Sequence, residues 1–273
     1  MSETAFIETA AGARLSFRLD RAEPSRPWLV FSNSVLTDMS IWDAQIAALH
    51  GNCNILRYDQ QGHGASSLAA DALSFPDYAA DLLTVMDACG VSTCCFVGLS
   101  MGVPTGLAAL SVAPGRFTAF VAVDGVAKSA PGREVFWSER RSTAERDGMA
   151  TIAAGTVPRW LPGDTDSERA RHLADMIAAT PVKGFAAATH ALQRYDHSAA
   201  LQLLTCPFLG MAGELDGAMP DAMRTQFGGL ANAEFANIPD AGHLPGFQCP
   251  EAFNHRLLSF LHSNMPAAFK ETS

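Results

Sequence analysis

The chain has 273 residues, 48% hydrophobic and 17% charged, with a net charge of −9. That apolar mass can bury a core without disulfides or metals. The acidic balance argues against nucleic acid or an anionic membrane surface as a partner and leaves small molecules open.

The opening residues, MSETAFIETAAG, lack a basic stretch followed by an apolar one, and no apolar run approaches a membrane span. Six cysteines (Cys53, Cys89, Cys94, Cys95, Cys206 and Cys249) form no CxxC pair and have no histidine at zinc-finger spacing. The expectation is a reduced, cytoplasmic protein without a bound metal. Oligomeric state is left open.

Residues 4–19 carry two alternating segments around a Gly turn, an antiparallel hairpin for a sheet edge. Apolar runs follow at 26–34, 53–59, 93–100 and 117–125, separated by helical periodicity at 39–50, at 75–90 (with Gly90 placed to stop it) and after Ser100, where Pro104 falls in the first turn. Strands apolar along their whole length, alternating with helices, imply a parallel sheet covered on both faces. From 128 to 200 only helical periodicity is found; near 206 the strand–helix rhythm returns. The reading is one α/β core from residues 1–127 and 201–273, its mostly parallel sheet eight strands wide. A helical cap, 128–200, is inserted after the sixth strand.

The stretch FVGLSMGVP, residues 96–104, joins a strand to a helix through Gly98-Leu99-Ser100-Met101-Gly102. Strand, Gly-x-Ser-x-Gly, helix is the context of a nucleophile elbow. Small residues let the helix pack close to the strand, the turn lifts the hydroxyl above the sheet, and the helix N-terminus favours developing negative charge. The bland alternative is a tight turn whose serine caps the helix.

A serine hydroxyl needs a base, and the base an orienting acid, which on such sheets follow in the order serine, acid, histidine. His243, in the loop after the last predicted strand, is the candidate base. His63, in QQGHGASS, is the other loop histidine in a Gly setting and reads as a turn residue near the site. Asp216, at a strand exit in GMAGELDGAMP, is the candidate acid. Asp124 ends another strand on the same edge and is the alternative; Glu214 should face away if its strand persists, and Asp240 is too close to His243 in sequence. An oxyanion hole needs two backbone N–H groups, assigned to Met101 and, from the loop after the third strand, Val35. Asn33 should brace that loop.

The segments 31–49, 55–67, 96–102 and 241–261 together resemble the 3-oxoadipate enol-lactonases of the α/β-hydrolase superfamily. Asn33-Ser34 is the more specific part, since many relatives carry His-Gly there. The cap also matches in character, with Trp137 followed by Arg140 and the pair Arg159-Trp160. The chain departs from the pattern at Val103, where a second glycine is usual, and at Leu244-Pro245 after the histidine. Both are expected to reshape the pocket floor.

The resemblance implies a serine esterase that opens a carboxylate-bearing lactone in aromatic catabolism, through an acyl-enzyme and without a cofactor. Trp137, Arg133, Arg140 and Trp160 would bind substrate, with Lys128, Arg141 and Arg159 as further cationic candidates. A carboxylesterase, another lactonase or a C–C bond hydrolase would use the same triad. A ligand receptor on the same fold is the non-enzyme alternative.

Overall fold

The computed structural model describes residues 3–265. Eight strands form one sheet: β1 (Ala5–Glu8), β2 (Arg14–Asp20), β3 (Trp28–Ser32), β4 (Asn54–Tyr58), β5 (Cys94–Leu99), β6 (Phe117–Val123), β7 (Phe208–Gly213) and β8 (Ala233–Ile238). Their order is β1-β2-β4-β3-β5-β6-β7-β8. The hairpin β1–β2 is antiparallel at one edge and joins β4 antiparallel; all other pairings are parallel. Strands β4 and β5 are buried at every position, β5 as its unbroken apolar run requires and β4 with the polar Asn54 and Arg57 buried as well.

Helices cover the sheet: α1 (Asp43–Leu49), α2 (Phe75–Ala88), α3 (Gly102–Val112), then α4 (Arg133–Asp147), α5 (Met149–Trp160), α6 (Glu168–Ala179) and α7 (Val182–Gln193) between β6 and β7, and finally α8 (Met219–Phe227), α9 (Pro245–Gln248) and α10 (Pro250–Asn264). The segment read as one helix at 39–50 splits into a 3-10 turn, Met39–Trp42, and α1. The short α9 is not legible from periodicity, because four residues make only one turn. Helix α2 ends as Gly90 predicts: Gly90 takes φ 72°, and the Val91 N–H reaches Met86 O at 2.9 Å. No helix among the described residues is long and apolar enough to cross a membrane.

From β3 the chain passes to β4 on one side, then crosses back to β5 on the other. That reversal is the switch point at which loops splay apart and open a crevice at the strands' carboxyl ends. The loops after β3, β5, β6, β7 and β8 therefore lie side by side. Among the described residues, the non-glycines with positive φ are Leu36, Ser100, Asp124 and Asp240, and each follows one of those strands. Such conformations cost about 1–3 kcal/mol each and persist only where surrounding packing holds them.

The turn that carries His63 is a seam against the helical block. Gly62 and Gly184 of α7 approach so closely that a β-carbon on Gly184 would sit 2.0 Å from Gly62 O. His63 is fully buried, its Nδ1 on Gln61 O at 3.1 Å, and burial pushes its pKa down to about 4. It does not line the pocket described below, so it is a neutral turn residue.

Next to that turn, the buried Asp81 of α2 accepts the Gln61 side-chain N–H at 2.7 Å, and burial pushes its pKa up to about 7. The folded chain then keeps a proton that the unfolded chain sheds near the ordinary value of 3.8. The stability this group contributes is complete below about pH 4 and lost as pH rises to about 7. Asp81→Asn abolishes that dependence while its amide oxygen still accepts from Gln61. The Tm advantage of the variant over the parent should widen between about pH 5 and about pH 8. An advantage that stays constant over that range would contradict the assignment.

Candidate active site

The elbow shows why Ser100 needs a glycine on each side. Ser100 has φ 52°, and its N–H donates to Val123 O at 2.7 Å, which ties the turn to the tip of β6. A β-carbon on Gly98 would meet the Gly102 carbonyl at 2.7 Å, and one on Gly102 would meet Ser32 O at 2.4 Å. Both contacts are with backbone, so any side chain there would drive α3 away from β5 and β3.

His243 Nε2 lies 2.9 Å from Ser100 Oγ, and His243 Nδ1 lies 2.7 Å from Asp216 Oδ2. The chain brings these together across large gaps in sequence because the loops after β5, β7 and β8 share one edge. Strand β7 ends at Gly213, so Glu214 leaves the sheet and is exposed. The turn that follows returns Asp216 to the imidazole. Asp124 is the other near carboxyl: ligand-type atoms of Asp124, Asp216 and His243 all lie within 4.8 Å of one another. Such a grouping could in principle hold a cation, but both ring nitrogens of His243 are engaged by Ser100 and Asp216.

Val35 and Met101 are buried beside Ser100, and neither N–H is taken by another group among the described residues. Asn33 braces the Val35 loop from two sides. Its Nδ2 donates to Tyr58 O at 2.9 Å, and its Oδ1 accepts the Trp42 indole N–H at 2.9 Å.

Above Ser100 is a cavity of about 330 Å³, walled on the core side by the β3, β6 and β7 loops and on the other by α4 and α5. Arg133, Phe136, Trp137 and Arg140 all line it. They lie at i, i+3, i+4 and i+7 on α4, one helical face. Arg159 and Trp160 enter from α5, and the Trp160 ring lies 5.1 Å from the His243 ring. Arg133, Arg140 and Arg159 gather around the Phe136 ring at 4.2, 5.6 and 5.5 Å. None of the three has an ion-pair partner among the described residues. Burial, then its neighbours Arg159 and Arg133, push the Arg140 pKa down to about 10. Arg140 Nε and Trp137 Nε1 are buried without hydrogen-bond partners. Unpaired buried donors and crowded cations are costly unless an anion completes them.

Residues 27–256 match the model of the alpha/beta hydrolase family. The chain belongs to that family. A 3-oxoadipate enol-lactonase of Acinetobacter baylyi is 29% identical over 269 residues, 94% of this chain and 96% of its own. Among solved structures, a hydrolase from Pseudomonas aeruginosa superposes with a TM-score of 0.88 at 31% identity, covering 95% of this chain and 98% of its own. The enol-lactonase from Burkholderia xenovorans gives 0.87 at 28%, covering 94% and 99%. This alpha/beta hydrolase is a hydrolytic enzyme.

Two expectations drawn from the sequence need correction. Arg141 of this hydrolase does not reach the cavity: one position past the lining face of α4, it donates to Thr189 Oγ1 at 3.0 Å on α7. Val103 and Pro245 do not form the pocket floor either. Val103 is fully buried and turned toward Gly125, where a β-carbon would meet its Cγ2 at 2.6 Å, and Pro245 opens α9 in the core. Lys128 does line the cavity but is paired with Asp196 at 2.8 Å. Sequence reasoning missed Phe136, although it shares the spacing of Arg133 and Arg140. It also missed Tyr195 and Gln226, which reach the cavity from segments that carry no local signal.

Proposed function

We propose that this hydrolase opens the ring of a carboxylate-bearing lactone of the 3-oxoadipate enol-lactone type, a step of aromatic catabolism. Residues 128–200 act as a cap over the core built from 1–127 and 201–273. Ser100 Oγ attacks the ring carbonyl while His243 Nε2 takes its proton, and Asp216 stabilises the imidazolium. The Val35 and Met101 N–H groups receive the oxyanion. His243 returns the proton to the departing ring oxygen. An enol is a better leaving group than an alkoxide, so little is asked of that step. Water, deprotonated by His243, then releases the acyl group.

The observation that carries the substrate class is the cluster of Arg133, Arg140 and Arg159. They meet in the cavity above Ser100 with no ion-pair partner among the described residues. A substrate carboxylate would complete them, with Trp137 and Trp160 closing on the apolar part of the ring.

The test compares hydrolysis of 3-oxoadipate enol-lactone with that of neutral p-nitrophenyl acetate. The lactone should have much the higher kcat/KM. Arg133→Ala and Arg140→Ala should each raise KM for the lactone by roughly tenfold to a hundredfold, the value of a hydrogen bond to a charged group, and affect the neutral ester far less. Fast ester and slow lactone turnover would leave a serine hydrolase with some other acyl substrate.

A further inference from the structure

Asp124 is not used by the chemistry above, yet it sits at its centre. It follows β6 with φ 42°, and its side chain is fully buried. Its backbone N–H donates to Met211 O at 2.9 Å, so the tip of β6 is held against β7. Its two carboxyl oxygens share one donor, the Gly213 N–H, at 3.1 and 3.2 Å. Against its other side lies Asp216: a carboxyl oxygen of each and a ring nitrogen of His243 all lie within 4.8 Å of one another.

Two carboxyl groups this close, one of them fully buried, strongly disfavour double ionisation, and a single proton between them allows a hydrogen bond. The surroundings decide where it resides. Asp216 receives the His243 N–H at 2.7 Å, is partly exposed, and feels the positive charge of Arg133 from α4. Among the described residues, Asp124 has the Gly213 N–H as its one donor and no Lys or Arg in an ion pair with it. From α3, Val103 packs on the adjoining Gly125. Burial, and then Asp216, push the Asp124 pKa well above the ordinary value.

We infer that Asp124 is a positioning residue: its protonated carboxyl donates a hydrogen bond to Asp216 and fixes the carboxylate that orients His243. This rests on the reading of Ser100, His243 and Asp216 given above. One fixed donor replaces the water molecules that would otherwise solvate the free side of Asp216. The pair carries one negative charge, all of it directed at the imidazole.

Two readouts test it. The infrared difference between parent and Asp124→Asn at neutral pH should show the carbonyl stretch of a protonated carboxylic acid, lost in the variant. That measurement does not depend on activity. Its absence overturns the inference.

The second readout is hydrolysis of p-nitrophenyl acetate, with folding of each variant checked by circular dichroism. Asp124→Leu should lower kcat by about tenfold to a hundredfold with KM little changed. Asp124→Asn, a neutral donor for a neutral donor, should restore kcat to within about threefold, with the acid limb of the kcat/KM pH profile unmoved. A shift of that limb to lower pH in Asp124→Asn would mean that an ionised neighbour of His243 had been removed, and would overturn the inference. So would an Asp124→Leu enzyme with parental kinetics. Ser100→Ala in the same assay separates the two readings. Parental turnover there overturns the role of Ser100, whereas a missing infrared band overturns the state of Asp124 alone.

Discussion

Ser100→Ala should lose about four to six orders of magnitude in kcat on every acyl substrate this hydrolase accepts, the range seen when the nucleophile of a serine triad is removed. The loss should come without unfolding. Ser100 is held at φ 52° by the bond from its N–H to Val123 O and by the close packing of Gly98 and Gly102, and none of these uses its hydroxyl. Alanine meets the same backbone strain and keeps the same N–H, so Tm should change by only a few degrees. Steady-state assays and thermal unfolding on one preparation check both halves. A large drop in Tm would leave the loss of activity uninterpretable as chemistry. Normal turnover with an intact fold would remove Ser100 from the mechanism.

Asp216→Asn should lower kcat by about 10³- to 10⁴-fold with KM nearly unchanged. The 2.7 Å contact with His243 Nδ1 makes the carboxylate an acceptor, which leaves Nε2 bare and facing Ser100 Oγ at 2.9 Å. An amide at this position turns a donor toward Nδ1 or offers a weaker acceptor. Either change costs the correct tautomer and the stabilisation of the imidazolium. Asp124→Asn, one residue beyond the neighbouring strand β6, should stay within about threefold. The reverse pattern, with Asp216→Asn active and Asp124→Asn inactive, would move the orienting acid to the tip of β6.

What the sequence discloses about this molecule is what is encoded over short stretches. The elbow is legible because two glycines, a strand and a helix must be contiguous for the turn to exist. His243 and Asp216 are legible because each lies in the loop after a strand, and parallel strands put all such exits on one side of the sheet. Phe136 was legible in principle, lying on the α4 face that carries Arg133, Trp137 and Arg140. The same periodicity excludes Arg141.

Tyr195, Gln226 and the true position of Val103 were not legible. Each depends on how a distant element packs: the segment after α7 pairing with Ser129, α8 across the loop after β6, or Gly125 against the first turn of α3. The contact between Asp124 and Asp216 belongs with these. Two strand-end acids on neighbouring strands can be counted in a sequence, but which of them meets the imidazole depends on a turn after Gly213 that periodicity does not describe.

Ser100 as nucleophile is tested most directly by covalent capture with a serine-directed fluorophosphonate, read by intact mass and peptide mapping. The expected result is one adduct per chain, on Ser100, absent from Ser100→Ala and formed far more slowly by Asp216→Asn. An unmodified parent chain, or an adduct on any other residue, would contradict it.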